Sequence, residues 1–291
     1  MGNVVVGIGE ALWDMFPDGK AIGGAPANFA FHVSQFGIDS CAVSAIGKDK
    51  LGDEIVEIFD DSGLEHILER VDYPTGTVRV DLDAEGIPSY TITEGVAWDN
   101  LPFTERIRLL ASSCRAVCFG SLAQRSDVTA STVCSFIEAM PEDSMKVFDI
   151  NLRQHFYTHE IISRSMKYAD VLKVNDEEVM VLGSMLEYGD PDMKSIARRL
   201  MEEFGLTIVV LTCGADCSYV FTRSEESYIP TPKVDVVSTV GAGDSFTAAF
   251  VAALLRGKDI REAHQLAVSV SAFVCTRKEA MPLLPETMKS L

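Results

Sequence analysis

Short β-branched runs alternate with helix-patterned stretches along most of this 291-residue chain. Strand candidates fall at 4–8, 42–46, 116–119, 146–150, 171–174 and 207–211, with helical patterns around 26–36, 53–62, 129–140, 160–168 and 193–204. Parallel strands cannot be joined by a tight turn, so this alternation implies a parallel sheet covered by helices on both faces. The length suits one large α/β domain or a domain with a smaller appendage, and it buries enough surface to need no disulfides.

One segment departs from the alternation. Residues 78–82 and 89–93 show polar–apolar alternation on either side of Ala84-Glu85-Gly86, which reads as an antiparallel hairpin. Within an α/β chain such a hairpin is an edge addition or a separate flap. Its apolar positions, Val78, Val80, Leu82, Tyr90 and Ile92, suit either covering a site or pairing with a second subunit. Two late helices also differ. Residues 245–255 are apolar or small on every side and predict a buried helix ending at Gly257, and 261–275 predicts a companion packed beside it.

Composition narrows the function classes. The fractions, 47% hydrophobic and 23% charged, are those of an ordinary globular protein, and no apolar run approaches the ~20 residues of a membrane span. A formal net charge of −18 argues against a nucleic-acid partner, because phosphate backbones are bound by clustered Lys and Arg. It does not exclude a phosphorylated ligand held by backbone N–H groups and Mg²⁺. Met1-Gly2-Asn3-Val4-Val5-Val6 carries no signal-peptide pattern, so the expected location is cytoplasmic. The seven cysteines lack zinc spacing and read as reduced, buried small hydrophobes.

In open parallel sheets, ligands bind beyond the carboxyl ends of the strands. The polar residues there are Gly9, Glu10 and Asp14 after the first strand, then Asp149, Asn151 and Arg153. Asn175 and Glu178 follow 171–174, and Thr212 and Gly214 follow 207–211. The turn Gly241-Ala242-Gly243-Asp244 is the strongest local feature. Its small residues let backbone approach a ligand, and the helix after it offers unpaired N–H groups and a positive dipole end.

Each feature has a plainer reading. The tetrapeptide alone reads first as a helix start, with Asp244 favouring the dipole. Asn175-Asp176-Glu177-Glu178 has the shape of a capping box. Asp14 and Arg153 are by default surface residues. Gly7-Ile8-Gly9-Glu10-Ala11-Leu12 misses the dinucleotide fingerprint at its third glycine, and no Gly-Lys-Ser/Thr sequence ends a phosphate loop.

Together these residues resemble the ribokinase-like (PfkB-type) carbohydrate kinase family. One signature is Gly23-Gly24-Ala25-Pro26-Ala27-Asn28 with Ile46-Gly47-Lys48-Asp49 and Leu51-Gly52. The other is Ser238-Thr239-Val240-Gly241-Ala242-Gly243-Asp244-Ser245-Phe246. Asp149-Ile150-Asn151-Leu152-Arg153 and Asn175–Glu178 lie between them in the family's order. Gly9-Glu10-Ala11-Leu12-Trp13-Asp14 looks most like the fructokinase branch.

The resemblance implies a Rossmann-like three-layer α/β sandwich with a mostly parallel central sheet and a small β lid. The nucleotide-binding and catalytic domain would be 1–12, 24–72 and 99–291, and the lid over the sugar site 13–23 and 73–98. It implies an ATP-dependent sugar kinase, fructose being the first acceptor, with Asp244 as catalytic base and Gly241, Ala242 and Gly243 as anion hole. Asp14, Gly24, Asn28 and Arg153 would bind the sugar. Asn175, Glu178, Thr212 and Gly214 would serve ATP, and Glu178 would reach Mg²⁺ through water. Ser238, Glu279 and Leu283 depart from residues frequent at the family's monovalent-cation site, which counts against potassium activation. Other acceptors are ribose, a nucleoside or a 2-keto-3-deoxy sugar acid, for which Arg79, Arg125 or Arg153 could supply a basic group. The alternative of another class is a non-catalytic sugar or nucleotide sensor.

Overall fold

The computed structural model describes residues 4–17, 19–82, 88–189 and 192–290, and at 80–82 and 88–90 it describes backbone alone. The chain runs β1 (Val4–Ile8), β2 (Leu12–Phe16), β3 (Gly19–Gly23), α1 (Ala25–Ser34), β4 (Ser40–Gly47), α2 (Lys50–Asp61) and β5 (His66–Val71). Then come β6 (Gly76–Leu82), β7 (Pro88–Ile92), α3 (Glu105–Ala111), β8 (Cys114–Phe119), α4 (Asp127–Glu138), β9 (Met145–Asp149) and α5 (His159–Tyr168). The last part holds β10 (Val171–Asn175), α6 (Asp176–Met185), α7 (Met193–Phe204), β11 (Ile208–Cys213), β12 (Cys217–Thr222), β13 (Glu226–Pro230), α8 (Ala242–Leu255), α9 (Ile260–Cys275) and α10 (Glu286–Lys289).

A nine-stranded sheet is ordered β13-β12-β11-β10-β9-β8-β1-β4-β5. Pairing is parallel from β11 through to β5, and β12 and β13 add an antiparallel edge. All the central strands appear among the sequence candidates, whereas β5, β12 and β13 do not. His66–Val71 completes a β4–α2–β5 unit, but His66, Glu69 and Arg70 break its apolar run, and β12–β13 form a hairpin outside the βαβ rhythm.

Side-chain alternation along each strand sorts the core into two layers. Val6, Ile8, Val117, Phe119, Phe148, Leu172 and Val174 meet Ile107, Val133, Ile162, Val179 and Ile196 from α3 to α7. Val5, Ala116, Cys118, Val147 and Val171 point the other way, onto Phe29 and Val33 of α1 and Ala248 and Val251 of α8. As expected, α8 is buried on all sides from Ser245 to Ala253, and Gly257 follows it with φ +81°. Burying Phe246 and Phe250 contributes on the order of 1.5–3 kcal/mol each, which anchors the helix whose first turn carries Asp244.

A second, four-stranded sheet is ordered β3-β2-β6-β7. The expected hairpin is present as the antiparallel pair β6–β7, and β2 joins β6 in parallel. The turn expected at Ala84-Glu85-Gly86 lies outside the described residues, as do the side chains of Val80, Leu82 and Tyr90. Leu12, Val78, Ile92 and Trp98 pack with Leu122 and Phe156, which seats this sheet on the carboxyl edge of the larger one.

The connection between the sheets explains the signature around Gly47. Asp49 caps α2 through Gly52 N–H at 2.8 Å and also accepts from Thr75 Oγ1 at 2.6 Å and Thr75 N–H at 2.8 Å. A Cβ on Gly47 would stand 2.7 Å from Thr75 N, so only glycine lets the two chain segments meet. Although burial opposes it, these donors hold the Asp49 carboxyl below its ordinary pKa.

Candidate active site

Asp244 lies in the first turn of α8, behind Gly241, whose φ of +77° is the left-handed region that favours glycine. A Cβ at Gly241 would also meet Ala280 O at 2.7 Å. Among the described residues, the N–H groups of Gly241, Gly243 and Asp244 make no hydrogen bond, whereas that of Ala242 donates to Thr239 O at 3.2 Å. The anion-binding potential of this turn therefore resides in the glycines and Asp244, and Ala242 contributes its small side chain rather than a free donor.

Asn28 on α1 donates to Asp244 Oδ2 at 2.8 Å, joining the two ends of the sequence pattern. Burial pushes the Asp244 carboxyl up to about 6, and the Asp149 charge adds to it. The Asn28 hydrogen bond and the Lys173 and Arg153 charges pull the other way. A carboxylate held in this range is ionised at neutral pH yet basic enough to take a proton.

Beneath the turn, Lys173 Nζ lies 3.1 Å from Asp149 Oδ1, and Thr247 Oγ1 donates to Asp149 Oδ2 at 2.9 Å. All three are buried. Desolvation opposes the lysine's charge, but Asp149, Glu178 and Asp244 outweigh it and raise its pKa. A Cβ on Gly243 would come within 3.0 Å of Lys173 Nζ, so the cation sits directly below the backbone of the turn. Lys173 is absent from the sequence candidates. A single lysine in the apolar strand Val171-Leu172-Lys173-Val174 is the signal that could have found it.

Asn175 and Glu178 do form the capping box. Asn175 Oδ1 accepts from Glu178 N–H at 2.8 Å, and Glu178 Oε2 from Asn175 N–H at 2.9 Å. Glu178 Oε1 further accepts from Leu152 N–H at 2.9 Å, so one buried carboxyl fixes the loops after β9 and β10 together. Burial raises its pKa against these donors and Lys173.

Asp14 lies on β2 paired with Ala21, and its Oδ2 occupies the space a Cβ on Gly23 would need. Burial raises its pKa, opposed by Arg153. Gly24, with φ +124°, caps α1 so tightly against the Glu10 carbonyl that a Cβ would stand 2.5 Å from it. Arg153 is exposed and bonded to Leu152 O, and its charge acts on Glu10, Asp14 and Asp244 together. Thr212 pairs with Asn175 across β10–β11, and Gly214 turns the chain at φ +51°. These two lie along the same edge as Asp149, two strands away from it.

Two strand-end residues have no role in the sequence pattern. Asn151 has φ +43°, uncommon for a residue with a Cβ, and lines a small cavity with Asp149, Asp244 and Glu10. Glu10 is 5% exposed, and burial pushes it up to about 7.

The sequence from 18 to 287 matches the pfkB family of carbohydrate kinases. The chain belongs to that family. As a carbohydrate kinase it has relatives of several kinds. It is 28% identical to a fructokinase of Klebsiella pneumoniae, over 96% of this chain and 95% of that one. It is equally 28% identical to an aminoimidazole riboside kinase of Salmonella typhimurium, over 97% and 92%. Among solved structures, a fructokinase of Xylella fastidiosa with bound ATP superposes with a TM-score of 0.85 at 22% identity, covering 98% and 96%. That likeness establishes the fold, a ribokinase-like α/β sandwich with a small second sheet.

Within this family frame, Ser238 caps its own turn, accepting from Val240 N–H at 3.2 Å, while Glu279 is exposed and Leu283 is 75% exposed. No helix among the described residues is long and apolar enough to cross a membrane.

Proposed function

We propose that this carbohydrate kinase transfers the γ-phosphate of ATP to a hydroxyl of a small furanose sugar, fructose being the first acceptor, with Asp244 as general base. The observation that carries this reading is the Asn28–Asp244 hydrogen bond at the N-terminus of α8, which puts a sugar-type amide, a raised carboxyl and free N–H donors at one point. Asp14, Gly24, Asn28 and Arg153 bind the acceptor. The glycines of the turn take the transferred phosphoryl group. Asn175, Glu178, Thr212 and Gly214 serve the nucleotide.

Among the described residues no cluster of three or more His, Cys, Asp or Glu could hold a metal directly. That donor set fits Mg²⁺ carried on the phosphates, with Glu178 aligned by its two N–H donors to bind water around it. The ion would neutralise phosphate charge. Asp244 takes the proton of the attacking hydroxyl late in the transfer, and residues 13–23 and 73–98 close over the acceptor and exclude water. The apolar lid face could also seat a second copy, making a homodimer whose presence is read from solution mass. The kinase acts in the cytoplasm, and the departures at Ser238, Glu279 and Leu283 count against potassium activation.

A panel of sugars with ATP and Mg²⁺, scored by ADP release and by the rise in melting temperature, tests the acceptor. No ADP release with any sugar would favour the sensor reading. A nucleoside acceptor is the second reading, supported by the equal similarity to the riboside kinase. For a sugar acid, Arg153 rather than Arg125 is the basic group at the site. Arg125 forks onto Asp99 at 2.8 and 2.9 Å and stacks between Trp98 and Phe156, so its charge is already committed.

A further inference from the structure

We propose that Glu10 is a positioning residue of the transfer site. It holds a proton on the cavity wall facing Asp244, so the cavity carries one negative charge and Asp244 is the group that bears it. This rests on Asp244 as the base.

Glu10 and Asp244 line the same small cavity, with Asp149 and Asn151. Glu10 Oε2 is buried and has no hydrogen-bond partner, whereas Asp244 Oδ2 receives the Asn28 amide. The charged and titratable groups around Glu10 come from each packed element. Asp244 on α8 opposes its ionisation, whereas Asp149 on β9, which lines the same cavity, is paired with Lys173 on β10. Cys118 on β8 is an uncharged thiol, pushed far up by burial. Arg153 and the N–H groups of Glu10 and Ala25 favour the charged form, but burial outweighs them.

Two carboxylates lining one small cavity do not both ionise readily. Asp244 Oδ2 receives the Asn28 amide whereas Glu10 Oε2 receives no donor, so the first charge falls on Asp244. Once Glu10 ionises, a second charge faces an incoming phosphate. The neutral acid thus keeps the cavity open to an anion while leaving the base free.

Glu10→Gln fixes the neutral form in the same shape. The first readout is stability against pH. A carboxyl raised from 4.5 to about 7 stabilises the fold below pH 4.5, and that contribution fades as pH rises through about 7. The melting temperature of Glu10→Gln relative to wild type should therefore climb across that window, and a flat difference overturns the proposal. The second readout is kcat/KM against pH. Wild type should fall above pH 7, by on the order of tenfold per unit, and Glu10→Gln should lose that limb while keeping the acid limb of Asp244. An unchanged alkaline limb overturns the proposal.

Asp244→Asn separates the two readings. Full turnover in that variant removes the base, and the stability difference of Glu10→Gln then decides the role of Glu10 alone. Lost turnover with wild-type profiles in Glu10→Gln rejects Glu10 alone. Should Glu10→Gln fail to fold, Asp244→Asn must shift the Glu10 titration to lower pH, and an unmoved titration rejects the coupling.

Discussion

Asn28 and Asp244, 216 positions apart in sequence, are joined by a 2.8 Å hydrogen bond between the starts of two helices that pack against each other. Each sits at the end of a glycine-rich segment that removes side-chain bulk from the same edge of the large sheet. The bond stabilises the ionised form of a carboxyl that burial would otherwise keep neutral.

Asp244→Asn should retain sugar and ATP binding and lose ~10²–10⁴ in turnover. Steady-state kinetics beside calorimetric titration of each ligand separates the two effects. Turnover near wild type would exclude Asp244 as base.

Activity should rise with pH through about 6, as the Asp244 carboxyl gives up its proton, ahead of the alkaline fall assigned to Glu10. Stability runs the opposite way. The raised pKa means that this group's contribution is complete below pH 3.8 and lost as pH passes about 6, so Asp244→Asn should melt higher than wild type at neutral pH. A melting scan at pH 5 and pH 7.5 checks the sign.

Asp14→Ala should raise the sugar KM by roughly 10–100-fold, the loss expected of a charged hydrogen-bond partner worth ~1.5–3 kcal/mol, with the ATP KM little changed. An unaltered sugar KM would take Asp14 out of the acceptor site.

Gly241→Ala meets both a left-handed backbone and the Ala280 carbonyl. It should destabilise the fold by more than ~1 kcal/mol and weaken ATP binding, because relief of the clash moves the turn. Denaturant melts and nucleotide titration measure each part.

Lys173→Met leaves Asp149 buried without its ion partner. Removing one member of such a pair costs about 3–5 kcal/mol, so the variant should unfold at markedly lower urea. Lys173→Met with Asp149→Leu should recover much of that loss, since replacing both partners by apolar groups removes the stranded charge.

Much of the molecule is legible in the chain. The central strands announce themselves because β-branched runs between helical patterns have few alternatives, and the polar residues at their ends follow from where parallel sheets bind ligands. β5 and the β12–β13 edge are not legible, since charged residues break the apolar run of the first and a hairpin at a sheet margin lies outside the βαβ rhythm. At the site, Asp244 stands out in the sequence, but Glu10 has no evident role there and Lys173 is silent. A carboxyl after a strand or a lysine within one has no fixed meaning until its neighbours in space are known. Asn175–Glu178 reads from sequence both as a capping box and as nucleotide-binding residues. The geometry shows the capping box, and the same bonds fix the Glu178 carboxyl between the loops after β9 and β10.

By itself the sequence determined the parallel sheet, the buried α8 and the glycines at Gly23, Gly24, Gly241 and Gly243, because periodicity and backbone freedom are local properties. Only the tertiary structure decided which charges meet. It brought Asn28 to Asp244, set Lys173 under Gly243, and enclosed Glu10 with Asp244 in one cavity. Proton affinity depends on burial and on charges a few ångströms away, and neither exists until the chain has folded.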